Sequence, residues 1–439
     1  MDILTKIREA GIVGEGGAGF PTHVKANCKA ECVIANGAEC EPLLRVDQQI
    51  MQYFPERVVD GVAILMQQTG AQRGVIALKD HYHEAIAALE KAIAGKPGIE
   101  LHIMKSTYPA GDEQQIVYSV MKRVVPTGGL PLDVGAVVSN VSTLADISLA
   151  MEGTPVTEKF VTVGGAVRNP ITVKVPIGTS GEELIQAAGG LTEPDCVFII
   201  GGPCMGRVSQ TADFPVTKTT GGLLAIPRSH PILRKKDEAL NLKLVQAVCC
   251  QCSMCTQLCP RNALGLRVEP HKAMRAIAAG SNLLGDSLNG VFSCCDCGIC
   301  TYYACNFGLK PSKVMQTLKQ GFAKAGVKPR KEVYTTVDSG LELKKLPVSR
   351  LIARLGISQY DVPAPMQMET LMVKHVRIPL RMHIGAPSVP VVHPGQIVTK
   401  GELIADIPEK ALGARIHASI SGTVTHISDE SIEIQGDNE

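Results

Sequence analysis

A chain of 439 residues has room for about two to four domains. It is 45% hydrophobic and 20% charged, carries a net charge of +2 and has no tryptophan, a balance that argues against a nucleic-acid surface, which needs a basic excess and stacking aromatics. The N-terminus lacks the basic-then-apolar order of a secretory signal, and no run of about 18 apolar residues occurs, so a reduced cytoplasmic setting is expected for its 15 cysteines.

Residues 2–11 set Ile3, Leu4, Ile7 and Ala10 on one side of a short helix. Then comes Gly14-Glu15-Gly16-Gly17-Ala18-Gly19-Phe20-Pro21-Thr22, with Lys25 behind it. Glycines let backbone N–H groups approach a phosphate closely, because no Cβ intervenes. The letters fit G-x-G-x-x-G, but no strand precedes them, so the run alone is as much a plain loop as a phosphate cradle. Residues 32–36 read as a buried strand that ends in the polar turn Asn36-Gly37-Ala38-Glu39-Cys40-Glu41-Pro42. Further strands are predicted at 75–78 and 101–104, with helices at about 55–69 and 83–94. The third strand leads to Tyr108-Pro109-Ala110-Gly111-Asp112-Glu113, and 135–144 carries Asn140-Val141-Ser142-Thr143-Leu144. This alternation predicts an α/β domain whose ligand gathers at the carboxyl ends of the strands.

Residues 158–167 and 170–179 show a hairpin pattern, followed by a helix over 181–188 and a strand over 197–203. Two cysteine runs come next. Cys249, Cys252, Cys255 and Cys259 make C-x2-C-x2-C-x3-C-P; Cys294, Cys297 and Cys300 repeat the spacing, with four residues before Cys305 and Asn306 after it. A Cys at every third residue aims three soft thiolates at one iron–sulfur cubane, and in two-cluster ferredoxins the last Cys of each run serves the other cluster. One [4Fe–4S] cluster is therefore expected on Cys249, Cys252, Cys255 and Cys305, and a second on Cys294, Cys297, Cys300 and Cys259. A structural zinc would use paired cysteines without a third in phase. The longer gap makes Cys305 the open member of its set. Cys250 and Cys295 double two ligands and read as buried neighbours. Cys28, Cys32 and Cys40 read as core thiols, since a third metal site would lack a fourth ligand. Residues 327–366 are rich in Lys and Pro and read as an extended, solvated linker. Short strands between Gly turns over 371–435 predict a small barrel or sandwich, whose scattered histidines read as ordinary surface or core residues.

The ordered set GxGGAGFPTxxK, NxxExEP, YxxGxE and NVxTL resembles the FMN- and NADH-binding subunit of respiratory complex I, and more closely the C subunit of Rnf complexes. That resemblance implies an FMN site at the glycine-rich loop, with NADH stacked on the flavin. Gly14, Gly16, Ala18 and Lys25 would hold the FMN phosphate and backbone. Asn36, Glu39, Gly111, Glu113, Asn140 and Thr143 would line the flavin or its ribityl chain. Phe20 and Glu41 would face the nicotinamide nucleotide. Glu15 stands where the complex I subunit has Arg, a departure that bears on NADH more than on FMN. Residues 157–206 resemble an SLBB (β-grasp) domain. The C-terminal pattern resembles the barrel-sandwich hybrid of biotinyl and lipoyl domains, but Ser419-Ile420-Ser421-Gly422 lacks the modifiable Lys, so docking or packing is expected of it.

The expected architecture is multidomain α/β and β. An FMN/NADH-binding α/β domain spans 1–155, an SLBB β-grasp domain 156–240 and a two-cluster ferredoxin-like helical domain 241–326. A linker at 327–366 and a barrel-sandwich domain at 367–439 follow. In the Rnf C subunit the barrel element precedes the FMN domain, whereas here it comes last. This order is similar to that of the cobalamin reductases of propanediol-utilisation microcompartments. The resemblance implies electron transfer from NADH through FMN and two clusters to cobalamin. It also implies a corrinoid adenosyltransferase and microcompartment shell proteins as partners, and a place in such a compartment. An Rnf-type subunit with a different acceptor, and a cluster-bearing relay that no longer uses NADH, stay open as alternatives.

Overall fold

The computed structural model describes residues 1–237, 239–280, 284–333 and 336–436. Near the start of the chain, strands Ile99–Met104, Arg73–Lys79, Cys32–Asn36 and Ala136–Asn140 lie side by side in that order, all parallel. Parallel strands covered on both faces read as continuous apolar runs, and Val33, Ile34, Ala35, Val75, Ile76 and Ala77 are fully buried. Alternate residues serve the two faces. Val33, Ala35 and Ile76 pack with helices Pro55–Thr69 and Val141–Met151. Ile34, Val75 and Ala77 pack with helix Glu113–Met121. The chain leaves the first strand toward one edge and returns on its other side, so Asn36 and Asn140, paired in register, mark the point where a crevice opens.

The β-grasp sheet has the order Met366–Thr370, Ile171–Pro176, Glu158–Gly165, Gly222–Pro227, Cys196–Ile200 and Arg207–Ser209. Helix Gly181–Ala187 opens on a capping box between Ser180 and Glu183. In the cysteine-bearing domain, helices Pro270–Ala279 and Pro311–Lys324 close over Leu266, Val268, Met274, Val314 and Met315.

The reading of 327–366 as an extended, solvated linker is overturned. Leu346–Pro347 pairs with Thr107–Tyr108, and helix Val348–Leu355 buries Leu351, Ile352 and Leu355 in a core shared with Ile299 and Tyr302. Val348, Leu351, Ile352 and Leu355 have helical spacing, which the flanking Lys and Pro residues masked. The boundary drawn at 367 is crossed as well, because Met366–Thr370 forms the edge strand of the β-grasp sheet.

The C-terminal strands form two small sheets, one of His375–Pro379, Ser431–Gly436, Gly422–Ile427 and Ile397–Val398, the other of Val389–Pro390, Leu403–Asp406 and Ile416–His417. Three domains meet at Lys218. Its buried ammonium donates to the Gly11 carbonyl at 2.6 Å and the Arg415 carbonyl at 2.7 Å. Gly11 has φ +70°, and a Cβ there would stand 2.4 Å from the Arg415 oxygen, so only glycine fits this approach.

Candidate functional site

The glycine-rich run closes on itself. The Gly14 N–H donates to the Phe20 carbonyl at 2.9 Å and the Gly19 N–H to the Gly14 carbonyl at 3.2 Å. The loop is held from behind where the Glu15 N–H donates to Thr143 Oγ1 at 3.1 Å. It is held from the barrel side where the Ile384 N–H donates to the Gly19 carbonyl at 3.1 Å. In front of it lies a cavity of about 370 Å³. Gly14, Gly16, Ala18, Phe20 and Lys25 line one side, and Asn36, Gly111, Glu113 and Asn140 line the strand ends.

The floor of this cavity is built from amides. Asn36 Nδ2 donates to the Gly111 carbonyl at 2.9 Å, and its Oδ1 accepts from the Ala38 N–H at 3.2 Å. Asn140 Oδ1 caps the following helix by accepting from the Ser142 N–H at 2.8 Å, while its Nδ2 donates to Asp47 at 2.8 Å. Burial, then the charge of Glu39, pushes the Asp47 carboxyl up to about 8. Lys25 Nζ lies 3.4 Å from Glu113 Oε1. A Cβ on Gly17 would meet open space, whereas one on Gly111 would stand 2.3 Å from the Ala38 oxygen. A glycine turn, a neighbouring ammonium and an amide floor fit the phosphate, ribityl chain and ring edge of a flavin mononucleotide.

Glu39, Glu41 and Thr143 lie outside the cavity. Thr143 braces the loop from behind. Glu39 is half-buried, desolvation raises its carboxyl pKa, and its Oε1 accepts from the Glu41 N–H at 3.1 Å. The Glu41 carboxylate accepts from the N–H groups of Cys204 and Met205 at 2.7 and 2.8 Å, so it ties the flavin domain to the β-grasp domain. A Cβ on Gly202 would stand 2.2 Å from Glu41, which shows how tightly that loop is drawn in. Glu15 turns away from the cavity into a buried ion pair with Lys159. The cavity also takes Thr22 of the glycine-rich motif and the cluster-loop Cys297, together with Cys40, Asp112, Met205 and Cys295, which the motifs did not mark. Cys28, Cys32 and Cys40 have separate partners, the Lys25 carbonyl, the Val33 carbonyl and the Gly111 N–H.

The two cysteine runs fold as one loop used twice. Gln251 and Ser253 have φ of +56° and +59°; Asp296 and Gly298, at the same places in the second run, have +57° and +75°. Left-handed residues between the cysteines coil each loop tightly enough to face its thiols inward. The first loop runs into an α-turn, Met254–Gln257, and the second into a π-turn, Cys300–Ala304. A π-turn takes up one residue more than an α-turn, which accounts for four residues before Cys305 where the first run has three before Cys259.

One cavity is lined by Cys249, Cys252 and Cys255 together with Cys305. The other is lined by Cys294, Cys297 and Cys300 together with Cys259. Burial, then the neighbouring Cys252, Cys305 and Cys249, pushes the Cys255 thiol up to about 12. Burial likewise pushes Cys259 up to about 12. Thiols so placed ionise against a metal centre and not against solvent. Among the described residues no three His, Cys, Asp or Glu side chains sit close enough to chelate a single ion. Two sets of four thiols, each lining its own cavity, suit two clusters.

The second loop is pressed against the flavin cavity. Tyr108 Oη donates to the Cys297 carbonyl at 2.6 Å. The Arg261 guanidinium donates to both Asp112 oxygens at 3.0 and 2.6 Å and to the Ser293 carbonyl at 2.9 Å. Gln115 Nε2 donates to the Pro260 carbonyl at 2.7 Å. Cys295 and Cys297 line both the flavin cavity and the second-loop cavity. The first loop faces outward, with Cys250 and Cys252 exposed.

Comparison with known proteins agrees with this layout. The Nuo51 FMN-binding domain matches residues 7–149, the SLBB domain 160–208, the 4Fe-4S dicluster domain 248–310 and the RnfC barrel sandwich hybrid domain 364–438. The C subunit of the Na(+)-translocating ferredoxin:NAD(+) oxidoreductase complex of Acetobacterium woodii is 36% identical, over 61% of this chain and 60% of its own. Cobalamin reductase PduS of Citrobacter freundii is 41% identical over 98% of this chain and 96% of its own. Cobalamin reductase PduS of Salmonella typhimurium is 43% identical over 99% of this chain and 96% of its own. With that identity running through all four domains, the chain belongs to the PduS family and is a flavo-iron–sulfur electron-transfer reductase.

Proposed function

We propose that the chain is an NADH-dependent cobalamin reductase, with electron entry at the flavin cavity and exit to a corrinoid at the Cys249 loop. One observation carries the reading: Cys295 and Cys297 form a wall common to the flavin cavity and the second cysteine loop. A flavin supplies the exchange between the paired electrons of a hydride and the single electrons that a [4Fe–4S] cluster takes. The residues set the order of the sites. The glycine-loop N–H groups and the Lys25 ammonium hold the phosphate. Asn36 and Asn140, fixed by Gly111 and Asp47, orient the ring edge. Phe20, 37% exposed at the cavity rim, offers a ring face to the nicotinamide nucleotide. Tyr108 and Arg261 seal the second loop against the flavin wall and keep water from it. Cys259 and Cys305, each closing the other loop's set, keep the two clusters adjacent. The exposed first loop is reachable by an acceptor as large as a corrinoid.

The names of the PduS relatives support cobalamin as that acceptor. The same reading takes a corrinoid adenosyltransferase as the partner that consumes the product, and a bacterial microcompartment, with its shell proteins, as the setting. Among the described residues no helix is long and apolar enough to cross a membrane. The test is anaerobic. The chain is reconstituted with iron, sulfide and FMN, NADH is added, and hydroxocobalamin follows. Bleaching of the visible spectrum and then a cob(II)alamin spectrum is the expected result. Bleaching with no change in the corrinoid would assign a different acceptor, and no bleaching would remove NADH as the donor.

A further inference from the structure

One residue in the lining of the flavin cavity comes from a different domain. The β-grasp loop Gly201-Gly202-Pro203-Cys204-Met205-Gly206 reaches the cavity and places Met205 in its lining. The loop turns tightly on itself. Gly201 has φ +95°, and the Gly206 N–H donates to the Gly202 carbonyl at 2.9 Å. A Cβ on Gly206 would stand 2.4 Å from that same oxygen, so the turn has no room for a side chain there.

The peptide that joins Cys204 to Met205 is held at both ends. Its N–H, on Met205, donates to Glu41 Oε1 at 2.8 Å, and the preceding N–H, on Cys204, donates to Glu41 Oε2 at 2.7 Å. Its carbonyl accepts from Lys236 Nζ at 3.0 Å and from Tyr302 Oη at 3.2 Å. These clamps come from three parts of the chain. Glu41 belongs to the flavin domain, Lys236 to helix Pro231–Asp237 and Tyr302 to the π-turn Cys300–Ala304. The Lys236 ammonium also stands 5.8 Å from the centroid of the Tyr302 ring, so the two donors brace each other.

The side chain so positioned is left open. Met205 is 53% exposed, and with Phe20 it supplies large, exposed apolar surface to the cavity lining. An apolar side chain on a rigid backbone, open at the mouth of a cavity, is pre-organised to receive a flat ring. A thioether is soft and polarisable and packs well on the face or edge of such a ring.

We propose that Met205 is a substrate-contact residue whose thioether packs on the nicotinamide ring at the mouth of the flavin cavity, and that Glu41 is the positioning residue that holds it there. The inference rests on NADH as the donor. It gives Glu41 its part in nicotinamide binding at one remove, since the carboxylate holds the loop and the loop holds the ring. It also gives the β-grasp domain a share in the donor site.

The probe is 1,4,5,6-tetrahydro-NAD, which keeps the shape of NADH but gives up no hydride, compared with ADP-ribose, which lacks the nicotinamide. Each is titrated by calorimetry into the full chain loaded with iron and FMN. Met205→Ala should weaken the tetrahydro compound about three- to tenfold and leave ADP-ribose unchanged. Met205→Leu, of similar volume, should keep most of the affinity. Glu41→Gln turns one acceptor toward an N–H into a donor, and should weaken the tetrahydro compound selectively while flavin and iron contents hold. A loss shared equally by ADP-ribose would overturn the proposal, because the effect would not be on the nicotinamide. Binding of the tetrahydro compound that Met205→Ala leaves untouched would overturn this proposal alone. No binding of it to the unaltered chain would overturn the NADH reading as well.

Discussion

The two cysteine loops share a turn, a spacing and a pair of left-handed residues, yet they occupy opposite kinds of ground. The first presents Cys250 and Cys252 to solvent. The second is sealed by Tyr108, Arg261 and Gln115 against the flavin cavity. Ligand spacing is a local property and gives both loops the same chemistry. Position comes from what packs around them, and on the proposed route it assigns the sealed loop as the entrance and the exposed loop as the exit.

The largest effect should come from removing one ligand in each loop. Cys297→Ser should cost the second cluster, about half the iron, and abolish NADH-dependent reduction of the remaining cluster. Cys252→Ser should cost the same amount of iron, yet leave the second cluster reducible by NADH while corrinoid reduction disappears. Iron analysis with electron paramagnetic resonance reads both. If the two variants behave alike, the loops do not differ in role. A smaller effect is expected at the seal. Arg261→Gln leaves Asp112 a buried, unpaired carboxylate, a change that costs about 3–5 kcal/mol in buried ion pairs. It should lower the temperature at which the second cluster bleaches and spare the first. Lys25→Ala reaches the flavin without touching either loop. Loss of a charged hydrogen bond to the phosphate should weaken FMN about tenfold or more, with iron content unchanged, as measured by flavin fluorescence on dilution.

The most local effect concerns pH. The Asp47 carboxyl is raised to about 8 in the fold by burial and by Glu39. A carboxyl raised in this way contributes stability below its unfolded value, near 4, and loses it as pH climbs toward about 8. Asp47→Asn should flatten that slope in thermal melts of the chain, and a slope that persists would place the titration elsewhere.

What the sequence made legible was what is local. Three thiols in phase announce a cluster because the ligands lie within seven residues of one another. The glycine turn, Asn36, Gly111 and Asn140 could be read for the same reason, since each lies within its own short motif, Asn36 and Asn140 at the ends of strands. Glu41 could not be read, because the N–H groups of Cys204 and Met205 that claim it come from another domain. Met205, which lines the flavin cavity, carries no mark in its own neighbourhood. Helix Val348–Leu355 was hidden by the Pro and Lys residues around it, although its apolar spacing is regular. The fourth residue before Cys305 looked like a defect until the π-turn gave it a place.

The contact of Lys218 with Gly11 and Arg415 and the brace of Ile384 on Gly19 have a consequence for biosynthesis. The glycine-rich loop is made hundreds of residues before Ile384 and Arg415, which fix it and its flank. The loop is therefore locked only once the barrel has been made and folded against it, and a chain cut before the barrel would leave that loop without its brace.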